Sequence, residues 1–216
     1  ELGTWTTVEE FRTWGNTFIG TIPTELGQWS ALRLFAVDMN SLTGTVPTEL
    51  GALSALTWLD LNDNALIGTL PTELGQLTAL ERLFVAENFL TGPIPTEIGK
   101  LTALLELGLH TNSFAGTLPT EIEGCRSLEQ LSVAENYLTG TLSTGLGQLT
   151  ALESLYMSEN SFNGTVPKEI GQLTALEFLL METNFLTGIL PTELGKITGL
   201  QAFSAANNRL SGTLPT

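Results

Sequence analysis

Cysteine and histidine, on which many catalytic and metal sites depend, are nearly absent. The 216 residues include one cysteine and one histidine. This excludes a disulfide within the chain, a cysteine-based zinc site and a histidine-rich metal centre. No run of 18 apolar residues occurs, so the sequence has no candidate for a membrane-spanning helix. We therefore expect no cofactor, no metal and no direct membrane insertion.

Basic residues are also scarce. Eight Lys and Arg stand against 23 Asp and Glu, which gives a formal net charge of −15. A surface that binds nucleic acid needs basic side chains that displace counterions from the phosphates. Anionic lipid headgroups attract cationic surfaces in the same way. We therefore expect no nucleic-acid partner and no docking on anionic lipid.

What the sequence does have is a 24-residue repeat. Each unit has an asparagine, a glycine four residues later and a proline three residues after that, with Ser143 as the one exception. The asparagines are Asn16, Asn40, Asn64, Asn88, Asn112, Asn136, Asn160, Asn184 and Asn208. Nine such units account for all 216 residues without an insertion. This pattern predicts a single repeat domain over residues 1–216, with no linker.

The array begins in mid-unit at Glu1 and stops in mid-unit at Thr216. No caps are visible, although solenoids need polar or disulfide-bonded terminal units. We expect either a fragment of a longer protein or chain ends covered by missing caps or neighbouring subunits.

The apolar pattern predicts how one unit folds. Leu83-Phe84-Val85 alternates inward and outward positions, as in a strand with one buried face. From Leu74 to Leu80 a leucine recurs at every third residue, which favours a 3-10 or irregular turn over a long helix. Pro71 can open this turn and Gly75 can end it. Since one unit cannot bury its leucines alone, the units must stack with parallel strands about 4.8 Å apart, as an α/β repeat solenoid.

The complete pattern resembles a known family. Leu-Thr-Gly-Thr-Leu/Val-Pro-Thr-Glu-Leu-Gly-Gln-Leu-Thr-Ala-Leu-Glu-x-Leu-x-Val-x-x-Asn is similar to the plant-type leucine-rich repeat, and to the repeats of diatoms and other algae. The resemblance covers the whole chain and implies a horseshoe with a concave parallel β-sheet and a 3-10 or irregular convex side. The segment from Leu42 to Pro47 resembles the piece that adds a short second sheet in that subclass.

Several regular columns have structural explanations. All nine asparagines are expected to be buried and hydrogen-bonded to the backbone. The glycines four residues later are expected to meet a backbone constraint that a Cβ would violate. Cys125 falls in a column of leucines and is expected to be buried, whereas His110 lies on the variable face, so the two cannot pair as nucleophile and base. We predict no catalytic residue, no cofactor-binding residue and no enzyme activity.

A column of glutamates could be taken for a cation-binding row. Calcium needs roughly six to eight converging oxygens, and a single column of like charges does not converge. We expect exposed carboxylates in a first turn, where negative charge is favoured, and no metal site. The column contains Glu25, Glu49, Glu73, Glu97, Glu121, Glu169 and Glu193.

Two threonine columns suggest a different class of function. Regular rows of threonine resemble the arrays of some ice-binding proteins, although a twisted coil offers no flat lattice. One column contains Thr24, Thr48, Thr72, Thr96, Thr120, Thr144, Thr192 and Thr216. The other contains Thr21, Thr45, Thr69, Thr117, Thr141, Thr165 and Thr213.

The columns six, four, two and one residue before each asparagine vary from unit to unit, and we expect them to bind the partner. Exposed Trp, Tyr and Arg are typical of binding hot spots. The small residues Gly108 and Ser132 are expected to leave room for a protruding partner loop. The predicted concave-face site contains Trp14, Leu34, Trp58, Arg82 and Phe84 in one group, and Glu135, Tyr156, Glu159, Phe178 and Leu180 in another.

The predicted function is a non-enzymatic recognition or scaffold module that binds a protein or peptide ligand, with a glycan as a further candidate. It would belong to a larger adhesion, receptor-like or scaffold protein. A carbohydrate- or ice-binding surface protein is the alternative. An extracellular or cell-surface location is expected, although one free buried thiol is compatible with any compartment. Asn163 begins the one Asn-x-Thr sequon and is a glycosylation candidate in a secreted chain.

Overall fold

Each unit contributes one short strand to each of two sheets. The computed structural model describes residues 4–214, so the predicted ends at Glu1 and Thr216 lie outside the described residues. Strands β1 to β18 are numbered along the chain. The odd-numbered strands are Glu10–Arg12, Leu34–Ala36, Trp58–Asp60, Arg82–Phe84, Glu106–Gly108, Gln130–Ser132, Ser154–Tyr156, Phe178–Leu180 and Ala202–Ser204. The even-numbered strands are Ile19–Thr21, Ser41–Gly44, Ala65–Gly68, Phe89–Gly92, Ser113–Thr117, Tyr137–Thr141, Ser161–Thr165, Phe185–Gly188 and Arg209–Leu210.

The odd-numbered strands form a nine-stranded parallel sheet in chain order, here called the concave sheet, and the even-numbered strands form a second one, the flank sheet. In the concave sheet Trp58 pairs with Arg82, its equivalent in the next unit. In the flank sheet Thr117 pairs with Thr139 instead of Thr141. Neighbouring flank strands are therefore staggered by two residues. The predicted solenoid with a concave sheet is confirmed.

Short 3-10 turns occupy the side predicted to be convex. The proline before the turn has φ near −71° at Pro71, the value that its ring imposes. Gly75 lies inside the turn instead of ending it. A Cβ on Gly75 would lie 2.6 Å from the carbonyl oxygen of Glu97, so this glycine permits close stacking of the turns. The turns are Thr24–Gln28, Thr48–Ala52, Thr72–Gln76, Thr96–Lys100, Thr120–Gly124, Thr144–Gln148, Lys168–Gln172 and Thr192–Lys196.

The leucine columns form one continuous core along the axis of the solenoid. At its first end Trp5 stacks on Trp29, with ring centroids 5.8 Å apart. Phe11 meets Trp29 edge-on and stacks on Phe35. The rings of Trp5, Phe11 and Phe35 border an apolar cavity of about 400 Å³.

The asparagine column joins the two sheets. The Asn136 amide donates to the carbonyl oxygens of Val133 and Ala134 in its own unit and of Leu109 in the preceding one. Its Oδ1 accepts the backbone N–H of Phe114 in the flank sheet at 2.9 Å. One side chain thus holds a turn, a neighbouring unit and a second sheet in register.

The expectation that all nine asparagines are buried is wrong for four of them. Asn40, Asn112 and Asn208 are half-buried and Asn16 is exposed. Asn16 and Asn208 lie in the first and last units of the described array, and Asn40 lies in the second unit. Asn112 borders an open cleft beside Phe89. All four still donate to backbone carbonyls.

The backbone turns sharply on both sides of each asparagine. The glycine four residues later has a positive φ, for example +83° at Gly140, which confirms the predicted constraint. The residue immediately before the asparagine is also left-handed, with φ between 47° and 55° in eight units. For residues other than Gly, Asn or Asp, this left-handed conformation costs roughly 1–2 kcal/mol. These residues are Met39, Asp63, Glu87, Thr111, Glu135, Glu159, Thr183 and Asn207.

Candidate partner-binding site

The concave sheet brings the first predicted group together. Leu34, Trp58 and Arg82 occupy equivalent places on adjacent strands. Phe84 lies one column further along β7, and Trp14 follows β1. Trp14 is 60% exposed, whereas the other four are half-buried. The group forms a continuous surface whose inner part is already packed.

Trp58, Arg82 and Phe84 form a preorganised cluster. The guanidinium carbon of Arg82 lies 4.9 Å from the centroid of the Trp58 ring, within the range of a cation–π contact. Arg82 Nε donates to Glu106 Oε1 at 2.8 Å. The rings of Trp58 and Phe84 meet edge-on with centroids 6.4 Å apart. Because these side chains already hold one another, binding a partner would order little more of them.

Next to this cluster is a cleft of about 250 Å³ that contains two aspartates. The acids were not singled out from the sequence, since nothing in it shows that Asp60 is more buried than other carboxylates of the chain. The cleft is lined by Arg12, Trp14, Leu34, Ala36, Asp38, Trp58 and Asp60.

Burial raises the pKa of Asp60 to about 6. The backbone N–H of Asn62 opposes this shift, while the charge of Asp38 adds to it. The Trp58 indole N–H lowers the pKa of Asp60 through its proximity, but it lies outside hydrogen-bonding geometry and is buried without a partner. Burial also raises the pKa of Asp38, and Asp63 adds to that shift. The cleft therefore combines aromatic faces with acids that can take up a proton.

The second predicted group lies elsewhere on the same sheet. Tyr156 pairs with Leu180, and Phe178 precedes Leu180 on β15. Strands β9 and β11 separate this group from the Trp58 cluster. The structure therefore places the two predicted groups in two separate patches of the concave sheet.

Glu135 and Glu159 face different neighbours from those expected. They line a cleft of about 370 Å³ with Phe89 and Tyr137, at the border of the flank sheet. Phe89 and Tyr137 are 63% and 65% exposed. Neither residue was predicted as part of a site, although both are large aromatic residues in a column of mostly small ones.

The expected opening in the middle of the sheet is absent. Gly108 and Ser132 are both buried, because side chains of adjacent strands cover them. A Cβ on Gly108 would lie 2.9 Å from Cδ1 of Phe84. The small residue at this position accommodates a neighbouring ring and not a partner loop.

The Leucine Rich Repeat family model matches residues 55–77 and 151–173. Over 99% of its length the chain superposes on the plant peptide hormone receptor RGFR1, solved in complex with RGF2, with 33% identity and a TM-score of 0.98. The chain is a plant-type leucine-rich repeat protein.

Two further solved structures are informative. The leucine-rich repeat ectodomain of the receptor kinase GASSHO1/SCHENGEN3 from Arabidopsis thaliana, in complex with CASPARIAN STRIP INTEGRITY FACTOR 2, is 38% identical over 99% of this chain, with a TM-score of 0.97. A plant ice-binding protein is 27% identical over 100% of this chain, with a TM-score of 0.85.

This leucine-rich repeat protein spans only part of its structural relatives. It covers 34% of RGFR1, 26% of the GASSHO1/SCHENGEN3 ectodomain and 69% of the ice-binding protein. No curated protein matches its sequence. Among residues 4–214, no helix is long and apolar enough to cross a membrane.

The one cysteine of the leucine-rich repeat protein is not part of either patch. Cys125 is fully buried, as predicted, and its Sγ donates to the carbonyl oxygen of Ile98. Burial raises the pKa of the Cys125 thiol to about 11, so it is not a thiolate at neutral pH. Within residues 4–214, no three His, Cys, Asp or Glu side chains are grouped to hold a metal ion. Asn163 is exposed on β14 of the flank sheet.

Proposed function

We propose that this protein is a recognition module that binds a peptide or protein ligand through its concave sheet. The observation that carries the proposal is the packed cluster of Trp58, Arg82 and Phe84 beside the cleft at Trp14. Hot spots are enriched in Trp, Tyr and Arg and lie in well-packed pockets. The structural relatives RGFR1 and GASSHO1/SCHENGEN3, both solved as complexes with ligands, support the same class of function.

The chemistry of the cleft favours a cationic group on the ligand. Asp38 and Asp60 supply negative charge, and Trp14 and Trp58 supply aromatic faces. A lysine or arginine side chain is attracted to both. The Arg12 guanidinium is paired with Glu10 at 2.8 Å, which leaves the two aspartates as the uncompensated charges at this place.

We also propose an extracellular location, within a receptor-like or adhesion protein. The support is the similarity to the ectodomains of plant membrane receptors over 99% of this chain. In that setting Asn163, exposed on the flank sheet, is accessible to glycosylation.

The test is a peptide-display selection against the intact protein, followed by calorimetric titration of the selected peptide. Trp58→Ala should weaken binding by at least about 2 kcal/mol, or roughly thirtyfold. Phe178→Ala tests the second patch in the same way. Thr96→Ala, on a 3-10 turn, is the matched control and should bind as the unchanged protein does. Loss of binding in Thr96→Ala alone would refute the concave-face proposal.

Ice binding is a second candidate function. The observation that favours it is the similarity to a plant ice-binding protein over 100% of this chain, together with the threonine rows of the repeat. Thermal hysteresis and inhibition of ice recrystallisation by the purified protein would test it. Absence of both activities would exclude this function and leave the concave-face proposal unaffected.

A further inference from the structure

The outer face of the flank sheet is almost free of charge. Its side chains stand one, three and five residues after each asparagine, which makes 27 positions in nine units. Arg209 is the one charged residue among them, whereas the whole chain has 31 charged residues in 216. The Arg209 guanidinium carbon lies 4.7 Å from the centroid of the Phe185 ring. A face this neutral on a chain of net charge −15 does not suit a partner held by ion pairs.

The threonines five residues after the asparagine are locked in orientation. The methyl group of Thr117 lies so close to Gly140 that a Cβ there would be 2.8 Å from it. The same contact joins Thr141 to the glycine of the next unit. With its methyl fixed against a glycine, each threonine stays exposed at the surface. The six threonines in this arrangement are Thr21, Thr45, Thr69, Thr117, Thr141 and Thr165.

A second set of threonines is held by the hydroxyl group instead of the methyl group. The hydroxyl of Thr139 donates to the carbonyl oxygen of Gly116 at 3.1 Å, and Thr43 makes the equivalent bond to Gly20. The two-residue stagger places Thr139 directly beside Thr117. The flank sheet therefore presents ordered methyl and hydroxyl groups at a regular strand spacing of about 4.8 Å.

The other threonine row of the repeat differs in its surroundings. On the 3-10 turns, Thr72 donates to the carboxylate of Glu73 at 3.3 Å, and Thr96 and Thr120 do the same with the following glutamate. Each of these threonines thus lies beside a negative charge. A charged group holds its hydration water tightly and is costly to desolvate. Only the flank row combines regular spacing with an uncharged surrounding.

We infer that the outer face of the flank sheet is the surface that contacts ice, with Thr117, Thr141 and Thr165 as its longest uninterrupted row in the second half of the chain. The inference rests on the second proposed function, because it assigns a surface to that activity. Rigid, uncharged and regularly spaced groups can order water without first losing conformational freedom. The peptide-binding patches lie on the other sheet, so the two functions need not compete for the same residues. Asn163 pairs with Thr141 in this face, so a glycan at Asn163 would cover the row, and the surface is assigned to the unglycosylated protein.

The experiment compares matched pairs of substitutions in intact protein. Thr117→Lys with Thr141→Lys places two charges on the flank sheet. Thr120→Lys with Thr144→Lys places the same two charges on the 3-10 turns of the same units. We expect the flank pair to lose thermal hysteresis and recrystallisation inhibition to the level of a protein-free control. The turn pair should retain both activities.

A second variant covers the case in which the flank pair does not fold. Ala115 is exposed on β10, so Ala115→Lys adds a charge without removing a threonine methyl from its glycine. Circular dichroism confirms folding, and loss of ice activity in the folded variant supports the inference. Activity retained in the folded flank variants, or lost in the turn pair, would overturn the assigned surface while the ice-binding function itself would stand. An unchanged protein without ice activity would overturn both.

Discussion

The concave sheet and the flank sheet are built from the same repeat but use it differently. The concave sheet varies its outward residues, carries paired charges such as Arg82 and Glu106, and buries its small residues under neighbouring rings. On the outer face of the flank sheet every residue except Arg209 is uncharged, and six of its threonines are fixed against glycines. One sheet therefore offers individual patches, and the other offers a uniform surface. In a repeat protein, a uniform column and a variable column can both be functional, for different kinds of partner.

The largest effect is expected where the two sheets meet. Asn136→Ala removes an amide that makes four hydrogen bonds and leaves several buried backbone groups unpaired. Because each such group costs about 1–3 kcal/mol, the free energy of unfolding should fall by about 3 kcal/mol or more. Denaturant unfolding measures this. Asn16→Ala, at an exposed position, should cost less than about 1 kcal/mol, and an equal loss would argue against the buried ladder.

The next largest effect on stability is expected for a glycine of the flank sheet, compared with a glycine of the concave sheet. Gly140 has φ +83° and faces the methyl of Thr117, so Gly140→Ala should cost about 1–2 kcal/mol through backbone strain. Gly108 lacks a positive φ, so an alanine there meets the ring of Phe84 but adds no backbone strain. Gly108→Ala should therefore be milder in thermal unfolding and should alter the near-ultraviolet circular dichroism. A larger cost at Gly108 would show that Phe84 is held rigidly.

A smaller effect comes from the acid in the concave cleft. Burial raises the pKa of Asp60 from 3.8 to about 6, so the folded protein binds this proton more tightly than the unfolded chain. The stabilising contribution of the Asp60 proton is therefore fully present below pH 3.8 and is lost as the pH rises through about 6.

Asp60→Asn should then raise the melting temperature at pH 7 and flatten its dependence between pH 4 and 6. Asparagine can still accept the backbone N–H of Asn62, which Asp60 accepts at 3.1 Å. Glu129→Gln, at an exposed carboxylate, is the control for the loss of one negative charge. An Asp60→Asn variant with the original profile would show that the cleft is more hydrated than its geometry indicates.

The smallest effect is expected for the ion pair of the concave sheet. The side chains of Arg82 and Glu106 are 33% and 27% exposed, so a double-mutant cycle with alanine should give a coupling of about 0.2–1 kcal/mol. Half-molar salt should reduce it. A salt-independent coupling would mean that the contact of Arg82 with Trp58 dominates.

The repeat made the architecture predictable, whereas the fine structure of the site depended on contacts between units. A strict 24-residue period without insertions leaves stacked parallel strands as the only way to bury the leucine columns, and Leu83-Phe84-Val85 identified the concave strand. The stagger of the flank sheet was not predictable, because the repeat period alone does not specify which residues of neighbouring strands pair. The burial of Asp60 and of Gly108 depends on the rotamers of Trp58 and Phe84, which a sequence does not specify.

The register of the concave sheet also fixes the distances between its side-chain positions. Equivalent residues on neighbouring strands pair directly, so each unit advances the surface by about 4.8 Å. Trp58 lies on β5 and Tyr156 on β13, in the neighbouring column of outward residues. Four strand spacings separate the two strands, a distance of about 19 Å. An extended peptide rises about 3.3 Å per residue, so a ligand that touches both patches carries its two anchoring side chains about six residues apart. Deleting one whole repeat between them should select peptides whose anchors are one to two residues closer.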